Sequence, residues 1–198
     1  MKERAKSLLI MSAVINMGLF STIFPLVKTT IIKGISQSVY LTGDWMTTIL
    51  LLGMTKLFMS KSKRDTIIDK HIYKIMVVDI CLYVLVLGIS LNGNLAFRYI
   101  SVCVLSGTTS YIWSVARSVY TKRTFHGEEL IALDQKIEYY VTICSIGGGA
   151  VGIALAQLHL SYVPLCIAQI IMVVIMTYVD FMVFDAFRKI PVEVTENE

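Results

Sequence analysis

Tyr162-Val-Pro-Leu-Cys-Ile-Ala-Gln-Ile-Ile-Met-Val-Val-Ile-Met-Thr-Tyr-Val-Asp-Phe-Met-Val-Phe184 is the stretch that decides the fold. It is apolar almost throughout, and its one charged residue, Asp180, stands near the end. A helix needs about 20 mostly apolar residues to cross a bilayer, and this run supplies them. Polar and apolar residues do not alternate in it, so it does not read as a barrel strand. Lipid satisfies no backbone groups, which leaves a helix as the form that closes its own hydrogen bonds.

Working outward, five more runs have the same character: Leu8–Val27, Val39–Met59, Ile72–Leu91, Leu95–Ser118 and Glu138–Leu158. Asn92-Gly93-Asn94 is a tight polar turn between the third and fourth, and the residues from His159 to Pro164 form an equally short link between the fifth and sixth. The segments 60–71 and 119–137 read as longer polar loops. The expected fold is an all-α integral membrane protein, with residues 1–198 forming a single domain of six transmembrane helices.

Composition agrees. Of the 198 residues, 56% are hydrophobic and 16% charged, with a mean hydropathy of +0.70; a soluble domain carries about 25% charged residues. The cations are unevenly placed. With the N-terminus inside, 15 of the 18 Lys and Arg residues fall on the inner side: Lys2, Arg4 and Lys6; Lys61, Lys63, Arg64 and Lys70; Arg117, Lys122, Arg123 and Lys136; Arg188 and Lys189; and Lys56 and Lys74 at helix ends. Only Lys28, Lys33 and Arg98 are left outside. In short loops such a bias sets orientation, so both termini are expected in the cytoplasm of a multi-pass protein of the plasma or inner membrane. The net charge of +4 then suits lipid headgroups rather than nucleic acid. The N-terminal segment imitates a signal peptide but continues through Phe24-Pro25 without a small-x-small site, and it reads as an uncleaved first helix.

Polar residues within the runs are the candidate functional groups, since ionisable side chains at membrane depth are costly. Asp79 lies about 10 Å into the third helix at 1.5 Å per residue. It should face the bundle and take a partner or a proton, and Arg117 on the fourth helix is a plausible partner. Asp44 and Arg98 could pair at the outer side. Asp180, Asp185 and Lys56 read as interfacial charges that reach headgroups. Asn16, Gln157 and Gln169 can hydrogen-bond between helices, and Asn16 sits near mid-span. Gly148 and Gly152 form a Gly-x-x-x-Gly pair on the fifth helix that permits close helix approach. Cys81, Cys103, Cys144 and Cys166 lie in apolar runs without metal or redox spacing. No phosphate-binding loop, HExxH, GxSxG or Cys/His cluster is present. No enzyme activity, cofactor or metal is expected.

The stretch from Ser106 to Arg117, the following His126-Gly-Glu-Glu-Leu130 and the glycine-rich helix from Ile143 to Leu155 resemble helices four and five of the major facilitator superfamily, in particular its drug and macrolide exporters. The likeness is clearest over residues 100–158. It implies a 3+3 inverted repeat like the N-terminal half of that family. It also implies a path lined by helices one and four, which brings in Asn16 and the region from Tyr111 to Trp113. Family members work as two such halves, so the resemblance implies a homodimer or a partner membrane subunit. The segment from Gly53 to Leu57 lacks the acid that the family carries there, although the loop after it, Ser60-Lys-Ser-Lys-Arg-Asp65, keeps its basic character.

The first functional expectation is therefore transport of a small molecule by a half-size, facilitator-like exporter. Its tentative substrate- or ion-binding residues are Asn16, Asp44, Asp79, Arg98, Tyr111, Trp113 and Arg117. Two alternatives stay open: a non-transport membrane protein such as a bacteriocin immunity or assembly factor, and the substrate-binding subunit of an energy-coupling-factor vitamin transporter, a class that also has six helices in about 200 residues.

Overall fold

A computed structural model describes residues 2–56 and 61–190, with the side chains at 44, 48, 50–56 and 61–64 outside the description. Among the described residues there is no strand. Six helices follow in chain order: α1 (Lys2–Ile32), α2 (Gln37–Lys56), α3 (Lys61–Ser90), α4 (Leu95–Thr124), α5 (Gly127–Ala156) and α6 (Tyr162–Arg188).

Two of the expected loops are helical. The polar segment 60–71 belongs largely to α3, and 119–137 is divided between the end of α4 and the start of α5 around a turn at Phe125 and His126. An apolar window finds only the part of a helix that suits lipid, whereas a helix continues wherever its residues can turn and pack. Leu133 and Ile137, spaced at i and i+4, are both fully buried on one face of α5. Glu128 and Glu129 in its first turn suit the positive end of the helix dipole. Gly127 opens that helix at φ +53°, a left-handed conformation that glycine adopts without steric cost. The turn between α3 and α4 is as expected: the Asn94 side chain caps α4 by accepting from the Phe97 amide at 2.9 Å.

Helices α1, α4, α3 and α6 pack in a ring, α5 flanks α1, and α2 flanks α4. Glycine sets the outer seams. A Cβ added to Gly152 would run into the backbone carbonyl of Thr22, and one at Gly148 into Ser21 and Gly18 of α1. Ser21 Oγ donates across that seam to the Cys144 carbonyl at 3.0 Å. On the other side Thr47 Oγ1 of α2 donates to the Cys103 carbonyl of α4 at 3.1 Å, with Gly107 against Thr47. The Gly-x-x-x-Gly pair thus serves a contact within the chain.

Among the described residues, four helices are long and apolar enough to cross a membrane: α1, α3 over Asp65–Ser90, α5 and α6. Helix α4 is not among them, although six crossings are expected from the sequence. It is the central helix, touching α1, α2, α3 and α6, and is rich in serine and threonine from Ser101 to Ser110. A helix shielded by its neighbours has no need of an apolar circumference. Many large apolar side chains instead point outward from the bundle, among them Ile146, Val77, Ile167 and Tyr178.

Candidate functional site

Helix α6 buries one stripe at 3–4 residue spacing: Gln169, Met172, Val173, Met176, Asp180, Val183, Phe184 and Phe187. Asp180 lies in the middle of that stripe and is 5% exposed. The interfacial reading of this residue is therefore overturned. The helix runs on to Arg188, which sets Asp180 about 12 Å from its end at 1.5 Å per residue.

Three donors from two other helices converge on one oxygen of Asp180. On α1, Ser12 Oγ donates to Oδ1 at 2.6 Å and Asn16 Nδ2 at 2.8 Å. On α4, Trp113 Nε1 donates to the same atom at 2.7 Å. Ser12 and Asn16 are one turn apart, so α1 presents both from one face. Asn16 Nδ2 also reaches Ser12 Oγ at 3.3 Å, while its Oδ1 is buried without a donor.

Asp79 on α3 is likewise 5% exposed, and its Oδ2 accepts from Thr109 Oγ1 of α4 at 2.8 Å. Both carboxylates line a single cavity, together with Thr109, Trp113, Met176 and Thr177. Its volume is about 20 Å³. One water needs roughly 10–15 Å³ on this measure, so the space suits a water or a small ion and excludes an organic substrate. Among the described residues no cation pairs with either acid, and each keeps one oxygen without a hydrogen-bond donor. A buried charge without a counter-charge is costly unless donors or a bound ion compensate it.

The sequence-predicted residues fall into three groups. Asn16, Asp79 and Trp113 come together around this centre. Arg117, expected beside Asp79, is instead 3.7 Å from Asp134 Oδ1 of α5 and stands over the Trp113 ring at 5.4 Å. Tyr111 is buried in the core at the end of the bundle that holds the start of α1 and the end of α6. Arg98 is occupied at the end of α3: its Nε donates to the Ser90 carbonyl at 3.2 Å, a second nitrogen donates to the Leu91 carbonyl at 2.7 Å, and its guanidinium covers the Tyr162 ring at 4.6 Å. The Asp44 side chain of the expected outer pair lies outside the described residues.

Asp180, Ser12 and Thr109 are the members that the sequence reading missed. The sequence does carry a signal for Asp180. It shares a helical face with Gln169 and with the apolar stripe, whereas Asp185 is only half-buried and pairs with Lys189 at 2.6 Å.

What the fold and the site define together is a class: a helical bundle with four helices apolar enough to span a bilayer and two buried carboxylates facing one ion-sized cavity. No protein-family model, no curated protein and no solved structure matches the chain.

Proposed function

We propose that the chain is a six-span membrane protein with both termini in the cytoplasm, and that it is one half of a small-molecule carrier in which Asp79 and Asp180 form the ion-coupling site. The observation that carries this reading is the shared cavity. Two acids from α3 and α6, held by neutral donors from α1 and α4, face a space that fits a proton on water or a small cation.

The packing pattern supports the inverted-repeat part of the reading. Exchanging α1, α2 and α3 with α4, α5 and α6 turns the α1–α5 contact into α4–α2, turns α1–α6 into α4–α3, and leaves α1–α4 and α3–α6 unchanged. The α4–α6 contact is the smallest of these among the described residues, and its counterpart, α1–α3, is smaller still. The facilitator resemblance assigns the path to helices one and four, and these are the helices whose side chains hold Asp180. Half-size carriers need a second half, so the working unit is a homodimer or a pair with another membrane subunit.

In this mechanism the ion binds to the uncommitted oxygens of the two acids. Loading removes one unit of negative charge from the centre and lets α3 and α6 shift against α1 and α4; unloading restores that charge and the present set of hydrogen bonds. The test uses purified protein in liposomes that enclose a pH-sensitive dye, with a small-molecule cell extract outside. Wild-type vesicles should acidify faster than empty ones under an imposed potential, and D180N vesicles should match the empty ones. Equal rates for wild-type and D180N protein would remove Asp180 from the coupling role.

A further inference from the structure

One face of α4 carries Ser114, Arg117, Ser118, Thr121 and Lys122, at the i, i+3, i+4, i+7 and i+8 spacing that aligns side chains on a helix. These residues, with Trp113 and Asp134, line a mostly polar pocket of about 270 Å³ that is separate from the ion-sized cavity. We infer that this pocket binds an oxyanion, the phosphate or carboxylate group of a small molecule or lipid, on the Arg117 guanidinium.

The state of the donors argues for it. The Arg117 side chain is 20% exposed and makes no hydrogen bond among the described residues. Its contacts are the loose 3.7 Å approach to Asp134 and the Trp113 ring. Guanidinium is a planar fork of five donors suited to bidentate oxyanion contact, and here the fork is unspent. The Ser114 and Ser118 hydroxyls also make no hydrogen bond among the described residues. Within the pocket Thr121 donates to a backbone carbonyl, and elsewhere on the same helix Ser106 and Thr108 donate to carbonyls and Thr109 to Asp79. Arg117 and Lys122 against Asp134 leave the lining with a net positive charge. Trp113 forms a wall of this pocket and also donates to Asp180, so one side chain borders both sites.

The inference does not rest on transport, and its test is a binding measurement on the full chain. Of the two tryptophans, Trp45 is replaced (W45F) so that Trp113 reports alone, and the protein is placed in nanodiscs of neutral lipid. Inorganic phosphate and acetate are titrated against chloride of equal ionic strength. At least one should give a saturable change in Trp113 emission, weakened tenfold or more by R117Q, less by R117K, and unaffected by K74Q on the exposed face of α3. Repeating the titration in discs containing phosphatidylglycerol separates the sources. If the headgroup is the ligand, the lipid itself shifts the emission and abolishes the response to free anion; if a soluble anion is the ligand, the titration is the same in both discs. A flat response to phosphate, acetate and anionic lipid alike, or a response that R117Q leaves unchanged while its helical circular dichroism is intact, would overturn the inference.

Discussion

Of the three arginines on helix α4, Arg98, Arg117 and Arg123, the first two are treated oppositely by the two ends of the bundle. Arg98 sits where α3 and α6 meet α4; it gives hydrogen bonds to two carbonyls at the end of α3 and covers an aromatic ring. Close by, Lys28 lies over Phe24, Tyr40 and Tyr99 at 5.2, 5.4 and 5.6 Å. The glycine seams that lock α5 onto α1 and α2 onto α4 belong to this half as well. Toward the end that holds the start of α1 and the end of α6, Arg117 has no hydrogen bond among the described residues and faces a polar pocket, and the two buried acids face an ion-sized space. One end is cross-braced, with Arg98 and Lys28 committed to the protein. The other pairs Arg123 with Asp69 at 2.9 Å and Lys189 with Asp185 at 2.6 Å, yet leaves the Arg117 donors free to meet something that arrives. The same residue type is a structural clamp in one place and a binding group in the other, and the difference lies in whether its donors are already spent.

That contrast can be tested by substitution, with unfolding of the purified protein followed by intrinsic fluorescence. The largest effect belongs to the braced seam. Gly152→Val pushes a side chain into the Thr22 carbonyl, a backbone group that cannot move aside; overpacking of this kind costs roughly 1–3 kcal/mol and occasionally more, and the upper end is expected here. A Gly152→Val protein with wild-type stability would mean that α5 does not press on α1. Next comes Arg98→Gln, which removes charged donors from two carbonyls and should cost about 1.5–3 kcal/mol. Arg117→Gln should shift stability by less than about 1 kcal/mol, as expected for a loose, partly exposed pair. If Arg117→Gln proved as damaging as Arg98→Gln, the contrast between the two ends would fail. The smallest change is Gly147→Ala, whose added methyl meets open space; it should be neutral, or stabilising by up to about 1 kcal/mol through helix propensity.

The features legible in the sequence were those that depend on local pattern. The helix order, the Asn92–Asn94 turn and the close approach at Gly148 and Gly152 follow from apolar runs and small-residue spacing. Asp79 stood out because it interrupts an apolar run well inside its helix. Asp180 was misread because its depth was measured from the end of the apolar run at Phe184, whereas α6 continues to Arg188. The partner of Arg117 is not legible from the sequence, because the polar segment 119–137 reads as a loop but is helical on both sides of the turn. Once the chain is known to turn at Phe125 and His126, Arg117 and Asp134 are equidistant from the turn, and their side chains approach across it although α5 packs on α1 rather than on α4. Ser12 and Thr109 carry no comparable mark. Hydroxyls are common in helices that pack against one another, and only the tertiary arrangement selects the ones that reach an acid.

Thr177, on the wall of the cavity shared by Asp79 and Asp180, offers the most direct test of the coupling site. With Cys81, Cys103, Cys144 and Cys166 replaced, a single cysteine at position 177 is exposed to a charged, membrane-impermeant thiol reagent applied to either face of sealed vesicles. A carrier that opens this centre alternately to the two sides predicts labelling from both faces, with D180N biasing it toward one. Labelling from one face only in the wild-type background, or from neither, would contradict the account.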